Sequence, residues 1–88
     1  MIDEDFTVGK NKQVGLIYKR YRLLRCKSQE QVARPFGFTA QFVSSWERGL
    51  THPPYKDLKK LSQYLSMPKS KIITAILEYE QEKLEALF

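Results

Sequence analysis

The chain has 88 residues, 42% of them hydrophobic and 28% charged, a composition that fits one soluble globular domain with a modest core. No apolar run approaches the roughly 20 residues of a membrane span, and the opening "MIDEDFTVGK" is acidic where a secretory signal is basic and then apolar. One cysteine, Cys26, excludes an internal disulfide and a cysteine-ligated metal cluster, so a reducing cytoplasm is the expected setting.

The formal charge of +5 is unevenly spread. Residues 1–9 hold Asp3, Glu4 and Asp5 without a base, a net −3; residues 10–71 hold fourteen Lys and Arg against Glu30, Glu47 and Asp57, a net +11; residues 72–88 hold Lys83 against four Glu, a net −3. A polyanion is the natural partner for such a middle block, because Lys and Arg that neutralise phosphates release condensed counterions. The alternative is a merely solvated basic surface.

Residues 1–10 read as an acidic arm. From Asn11 to Lys27, Val14, Ile17, Tyr18, Tyr21 and Leu24 recur at steps of three and four and predict a first helix with one buried stripe. Ser28 offers an N-cap oxygen with Gln31 at the capping-box spacing, so a short second helix follows, facing inward through Val32, Ala33 and Phe36. Pro35 cannot donate to the carbonyl of Gln31 and ends or kinks that helix. Thr39 caps a third helix that closes at Gly49. "THPP" marks a loop, and Leu58, Leu61 and Leu65 stripe a fourth helix. Ser70 caps a fifth, running through "KIITAILEYEQEKLEAL". No strand signal competes, and the expected fold is all-α, a compact five-helix bundle, with residues 11–68 as its main body and 69–88 as a C-terminal amphipathic helix.

Between Gln29 and Gly49 lie a short helix, a tight turn at Gly37 and a helix of about nine residues, the spacing of a helix-turn-helix. Ala33 is small where the two helices cross, and Gly37 allows positive φ. Val43 and Trp46 point into the angle, Trp46 as core. Ala40, Gln41, Ser44, Ser45 and Arg48 then share the opposite face, uncharged and small until Arg48.

With "SQEQVA", "GFTAQFVS" and "WERG", and with Gln29, Ala33, Gly37 and Val43 at the spaced positions, the chain resembles the Cro and phage-repressor type of helix-turn-helix proteins, the lambda repressor-like DNA-binding domains. The resemblance runs from about Val14 to Met67. It implies a third helix in the major groove and a homodimer on a two-fold related double-stranded DNA operator. It implies that Gln29 contacts a phosphate and that Thr39, Ala40 and Gln41 read base edges. Gln41 suits adenine N6 and N7, and the methyls of Thr39 and Ala40 suit thymine. Ser44 and Ser45 reach bases or phosphate, and Arg48 and Lys56, flanking the loop, are candidates for backbone contact. Arg22 and Glu47 match the family's ion pair between the first and third helices.

The chain departs from the family at Lys27, where an apolar residue is usual. Phe42 packs either on the loop near Leu50 or on DNA sugar. His52, beside two prolines, reads as a loop residue within reach of phosphate, and a metal role lacks further ligands. Cys26 reads as a small packing residue. In the last helix Ile73, Leu77, Glu80, Leu84 and Leu87 form one stripe and Ile72, Ile76 and Tyr79 another; one packs on the domain, and the other either dimerises or closes the same core. The expected function is a transcriptional regulator, a repressor acting without cofactor. The alternative is an antitoxin-like protein-interaction module gripping a protein partner with the last helix. An enzyme is not expected, since no phosphate-cradling glycine loop, nucleophile constellation or metal cluster is present.

Overall fold

The computed structural model describes residues 12–88. The acidic arm over residues 1–10 and the expected helix start at Asn11 lie outside them. Five helices follow in chain order: α1 (Lys12–Leu24), α2 (Gln29–Ala33), α3 (Ala40–Glu47), α4 (Leu58–Leu65) and α5 (Lys69–Glu85). Short 3-10 turns at Arg34–Phe36 and Tyr55–Asp57 join them, and no strand occurs among the described residues. The fold is all-α, as expected.

α1 packs on α3 and α5, and α2 packs on α3. The buried side of α1 passes through Gly15, Tyr18 and Arg22, with Ile17 and Tyr21 half-buried. The stripe expected to end on Leu24 does not: Leu24 is 61% exposed, and Arg22 takes the inward position, one turn after Tyr18. Backbone amides of Arg25, Cys26 and Lys27 turn back onto Tyr21, Leu23 and Arg22 carbonyls and close the helix, with Cys26 at a φ of +56°. Cys26 is exposed and turn-forming, which corrects its reading as a packing residue; at positive φ a side chain with a Cβ is strained.

Ser28 accepts from the Gln31 amide while the Gln31 side chain accepts from the Ser28 amide, the expected capping box. α2 then stops after five residues. Pro35, without an N–H, tightens the chain into the 3-10 turn, and Gly37, at a φ of +73°, reverses it. The carbonyls freed by this early ending are used elsewhere: Lys60 Nζ donates to Pro35 and Tyr64 Oη to Gln31, which fastens α4 to the end of α2. α5 begins two residues earlier than its expected cap at Ser70 implies, with Pro68 at the N-cap and no side-chain cap.

One hydrophobic core runs through the molecule. Tyr18, Val32, Ala33, Val43, Trp46, Leu61, Leu65, Met67, Ile72, Ala75 and Tyr79 are buried in a single cluster. Burial pushes the Tyr18 phenol well above its ordinary value, so it is neutral at any physiological pH. Of the two stripes of α5, Ile72, Ile76 and Tyr79 pack inward with Ala75. Ile73, Leu77, Leu84 and Leu87 stay 47 to 76% exposed.

Gly15 is where α1 meets the end of α3. A Cβ there would run into the carbonyl groups of Trp46 and Glu47, which are backbone and cannot swing aside. Gly-to-Ala in an open helix gains roughly 0.8–1 kcal/mol, whereas overpacking a fitted contact costs about 1–3 kcal/mol. Gly15→Ala should therefore lower the unfolding free energy in a urea titration; a gain would show that the two helices are not held this close.

Candidate nucleic-acid interface

α3 is built to have one locked side and one free side. Thr39 stands at its N-cap in extended conformation, and its Oγ1 accepts from the Phe42 amide at 3.1 Å. At the other end Gly49, at a φ of +77°, lets the chain turn away. On the locked side Val43 and Trp46 are 1% exposed. Around them lies an aromatic cluster: Phe38 meets Phe42 and Trp46 edge-on at 5.1 and 5.8 Å, Phe42 meets Trp46 at 5.4 Å, and Phe36 stacks on Phe38 at 5.5 Å. Such pairs add to area burial through the ring quadrupole. Phe42, half-buried, thus packs on Phe38 and Trp46.

Glu47 ends the locked side and carries a charge inside. Its carboxylate accepts from Arg22 Nε at 2.6 Å and Nη2 at 3.1 Å, and from Gln29 Nε2 at 3.0 Å. Arg22 Nη1 donates in addition to the Lys27 carbonyl at 2.8 Å. Both charged residues are under 10% exposed. A fork-to-fork pair with a third donor satisfies a carboxylate that burial would otherwise penalise. Three helices converge on this one group: α1 through Arg22, α2 through Gln29 and α3 through Glu47.

On the free side, Gln41 and Arg48 are exposed, Thr39 is exposed at the cap, and Ala40 and Ser44 are half-buried. Arg48 Nε lies 3.3 Å from Ser44 Oγ. Ser45 departs from the expected outward face. It is half-buried, its hydroxyl donates to the Phe42 carbonyl at 2.6 Å, and the Thr51 hydroxyl donates to it in turn at 2.5 Å, which anchors the following loop. Gln29 sits at the first position of α2, its amide given to Glu47 and one N–H left over. Lys56 is exposed in the 3-10 turn beyond the loop.

That loop is tied to α5. Tyr55 Oη donates to Glu80 at 2.5 Å, and Tyr79 Oη donates to the Leu50 carbonyl. His52, a loop residue, is half-buried, stacked on Tyr55 at 4.9 Å and set against the edge of Tyr79 at 4.8 Å. Its Nδ1 donates to the Pro53 carbonyl, and its Nε2 lies 3.5 Å from Glu80. Lys27, the family's usual apolar position, spreads over the Tyr64 ring at 5.0 Å, so its stem covers apolar surface while its charge faces the ring. No group of three His, Cys, Asp or Glu among the described residues is placed to hold a metal, and no helix among them is long and apolar enough to cross a membrane.

Residues 19–72 match the helix-turn-helix family model, more than half of the chain. This protein belongs to the helix-turn-helix family. It is also similar to a helix-turn-helix type transcriptional regulator, y4dJ, of Sinorhizobium fredii (strain NBRC 101917 / NGR234), 35% identical over 63 residues that span 72% of this chain and 82% of that one. No solved structure matches it. Within the family-matched segment fall both helices of the motif, the Arg22–Glu47 pair and Lys56; most of α5 lies beyond it.

Sequence reasoning missed three contacts. Gln29 was assigned outward and not to Glu47, Thr51 had no signal at all, and the Tyr55–Glu80 contact joins residues 25 apart with no shared period.

Two measurements follow from these contacts. Arg22→Ala leaves Glu47 buried without its guanidinium and should cost roughly 3–5 kcal/mol in chemical denaturation, while the double replacement Arg22→Met with Glu47→Leu should cost much less. At the loop, the Tyr55 hydroxyl, and to a lesser degree Lys83 and His52, hold the Glu80 carboxyl below its ordinary 4.5, against an opposing push from desolvation. The same bond raises Tyr55 above its ordinary 10.0. A depressed carboxyl stabilises the fold above its unfolded value and loses that contribution as pH falls through the folded one. The stability difference between wild type and Glu80→Gln should thus be flat from pH 7 to about 5 and shrink below about 4.5; a flat difference down to pH 3 would place Glu80 free in solvent.

Proposed function

We propose that this chain is a sequence-specific transcriptional repressor that binds a two-fold related DNA operator as a homodimer, α3 lying in the major groove. That it is a DNA-binding transcriptional regulator rests on its family. The observation that carries the finer reading is an exposed Gln41 on a helix whose other side is locked by Val43, Trp46 and Glu47. A rod held that firmly presents amide and methyl groups at fixed positions, which reading base edges requires.

Gln41 pairs with adenine through its amide, and the Thr39 and Ala40 methyls meet thymine. Ser44 reaches a base edge or phosphate directly, whereas Ser45 acts mainly through the loop it holds. Gln29 offers its remaining N–H to a phosphate beside the α2 N-terminus, and Arg48 and Lys56 flank it with charge. Uncharged groups suit the reading face because a row of lysines would bind every sequence alike; the basic residues around it supply sequence-independent attraction. The protein acts by binding in the cytoplasm, without catalysis or cofactor.

Binding sites selected from random duplexes at two salt concentrations test this directly. Protected half-sites should lie about 10 base pairs apart, one helical turn. Gln41→Ala should relax preference at one base pair per half-site, a loss of about 1–3 kcal/mol of discrimination. Arg48→Ala should weaken binding to all sequences and reduce the salt slope by about 1. Equal binding of selected and scrambled duplexes by wild type would overturn sequence reading. The exposed stripe of α5 also suits an antitoxin-like protein-interaction module, and co-purification with a stoichiometric partner in place of a homodimer would favour that reading.

A further inference from the structure

The loop between α3 and α4 is held from two sides. From α3, the Ser45 carbonyl accepts from the Leu50 and Thr51 amides, and the Ser45 hydroxyl meets that of Thr51. From α5, two consecutive residues reach across: Tyr79 Oη donates to the Leu50 carbonyl at 3.2 Å, and Glu80 Oε2 accepts from Tyr55 Oη at 2.5 Å. Between these tethers the His52 ring lies against both Tyr55 and Tyr79, and Pro53 is fully buried. Ser45 belongs to the motif. Tyr79 and Glu80 belong to the part of α5 beyond the family-matched segment.

A surface loop ordinarily keeps much of its freedom. This one is restrained along most of its length, and what it carries gives the restraint a use. Arg48 opens it and Lys56 closes it, both exposed. Lys56 is the middle residue of the Tyr55–Asp57 turn, which the Asp57 amide locks by donating to the Pro54 carbonyl at 2.9 Å. Tyr55 and Lys56 therefore move as one unit, and fixing the Tyr55 ring fixes where the Lys56 stem begins. The Tyr55–Glu80 bond lies at the surface, with Tyr55 56% exposed, where removing a contact changes folding stability little. Its effect is positional. A lysine whose backbone is placed in advance meets a phosphate without the ordering cost that a mobile loop would add.

Resting on the DNA-binding reading above, we infer that Glu80, acting through Tyr55, is a positioning residue for DNA: it holds the loop so that Lys56 reaches the phosphate backbone beside the groove that α3 enters. Tyr79 does the same for the start of the loop through Leu50. The last helix thus has a part in DNA affinity besides closing the core. That part is independent of sequence, since phosphate contacts fix register and orientation but carry no base information.

A salt series on the full-length chain tests it, with one duplex selected by wild type and one scrambled. Glu80→Ala and Tyr55→Phe should each weaken binding to both duplexes about 3- to 10-fold and lower the salt slope by about one per bound copy, with helicity unchanged. Glu80→Gln keeps an acceptor for the Tyr55 hydroxyl and should bind close to wild type. In a Lys56→Ala background the phosphate contact is already lost. There Glu80→Ala should change neither affinity nor slope, a non-additivity that a general loosening of the fold would not produce. Undiminished affinity and slope in Glu80→Ala and Tyr55→Phe, or losses that simply add to that of Lys56→Ala, would overturn the inference while leaving DNA binding in place. Wild type that binds no duplex in a salt-dependent way would overturn the DNA-binding reading as well.

Discussion

The arrangement of the first three helices depends on one buried carboxylate. Glu47 ends α3 beneath the surface and is met by two nitrogens of Arg22 and one of Gln29. Apolar packing alone tolerates sliding, because one methylene fits nearly as well as its neighbour. A buried charge does not, since moving it away from its donors restores the desolvation penalty. The pair therefore acts less as a source of stability than as a locator: it sets the angle of α3 relative to α1 and to the entrance of α2. The Trp46 cluster then keeps the rod from rotating.

The polar side of α3 depends on what is done behind it. Thr39, Gln41 and Arg48 can stand in water because Val43 and Trp46 have taken up the apolar interactions of the same two turns. Ser45 lies at the boundary, and its hydroxyl links the helix to Thr51. From there the chain runs through Leu50, His52 and Tyr55, each of which touches Tyr79 or Glu80 on α5. α3, the loop beside it and α5 are in this way joined by a continuous set of contacts, although α3 and α5 are far apart in sequence.

Much of this was legible in the sequence, and the boundary has a physical logic. Local devices were readable: the Ser28–Gln31 capping box, the Gly37 and Gly49 turns, the Thr39 cap and the effect of Pro35 need only a few neighbouring residues. Periodicity correctly chose the inner stripe of α4 and separated the two stripes of α5. It failed at Leu24, because the helix ends there and the chain turns before the side chain can reach the core. It gave no warning of Gly15, whose reason is the backbone of α3, or of Ser45, whose partner lies in a loop. His52 was legible as a loop residue, but its enclosure by Tyr55 and by Tyr79 of α5 was not, since Tyr79 arrives from a distant helix. The meeting of Arg22 and Glu47 was suggested by family resemblance; their 25-residue separation carries no periodic signal, and the part played by Gln29 emerged only in three dimensions.

The brevity of α2 has one more implication. With Pro35 ending it after Ala33 and Gly37 reversing the chain, only five residues separate it from the cap at Thr39. Each residue of a helix turns the next by roughly 100°. Adding or deleting one position in that connection would spin the following rod by more than a quarter circle unless the turn absorbed the change. Trp46 would swing toward solvent and Gln41 toward the interior. The bend is therefore a ruler, and a change to this surface keeps the rod in phase only when side chains are exchanged at constant length.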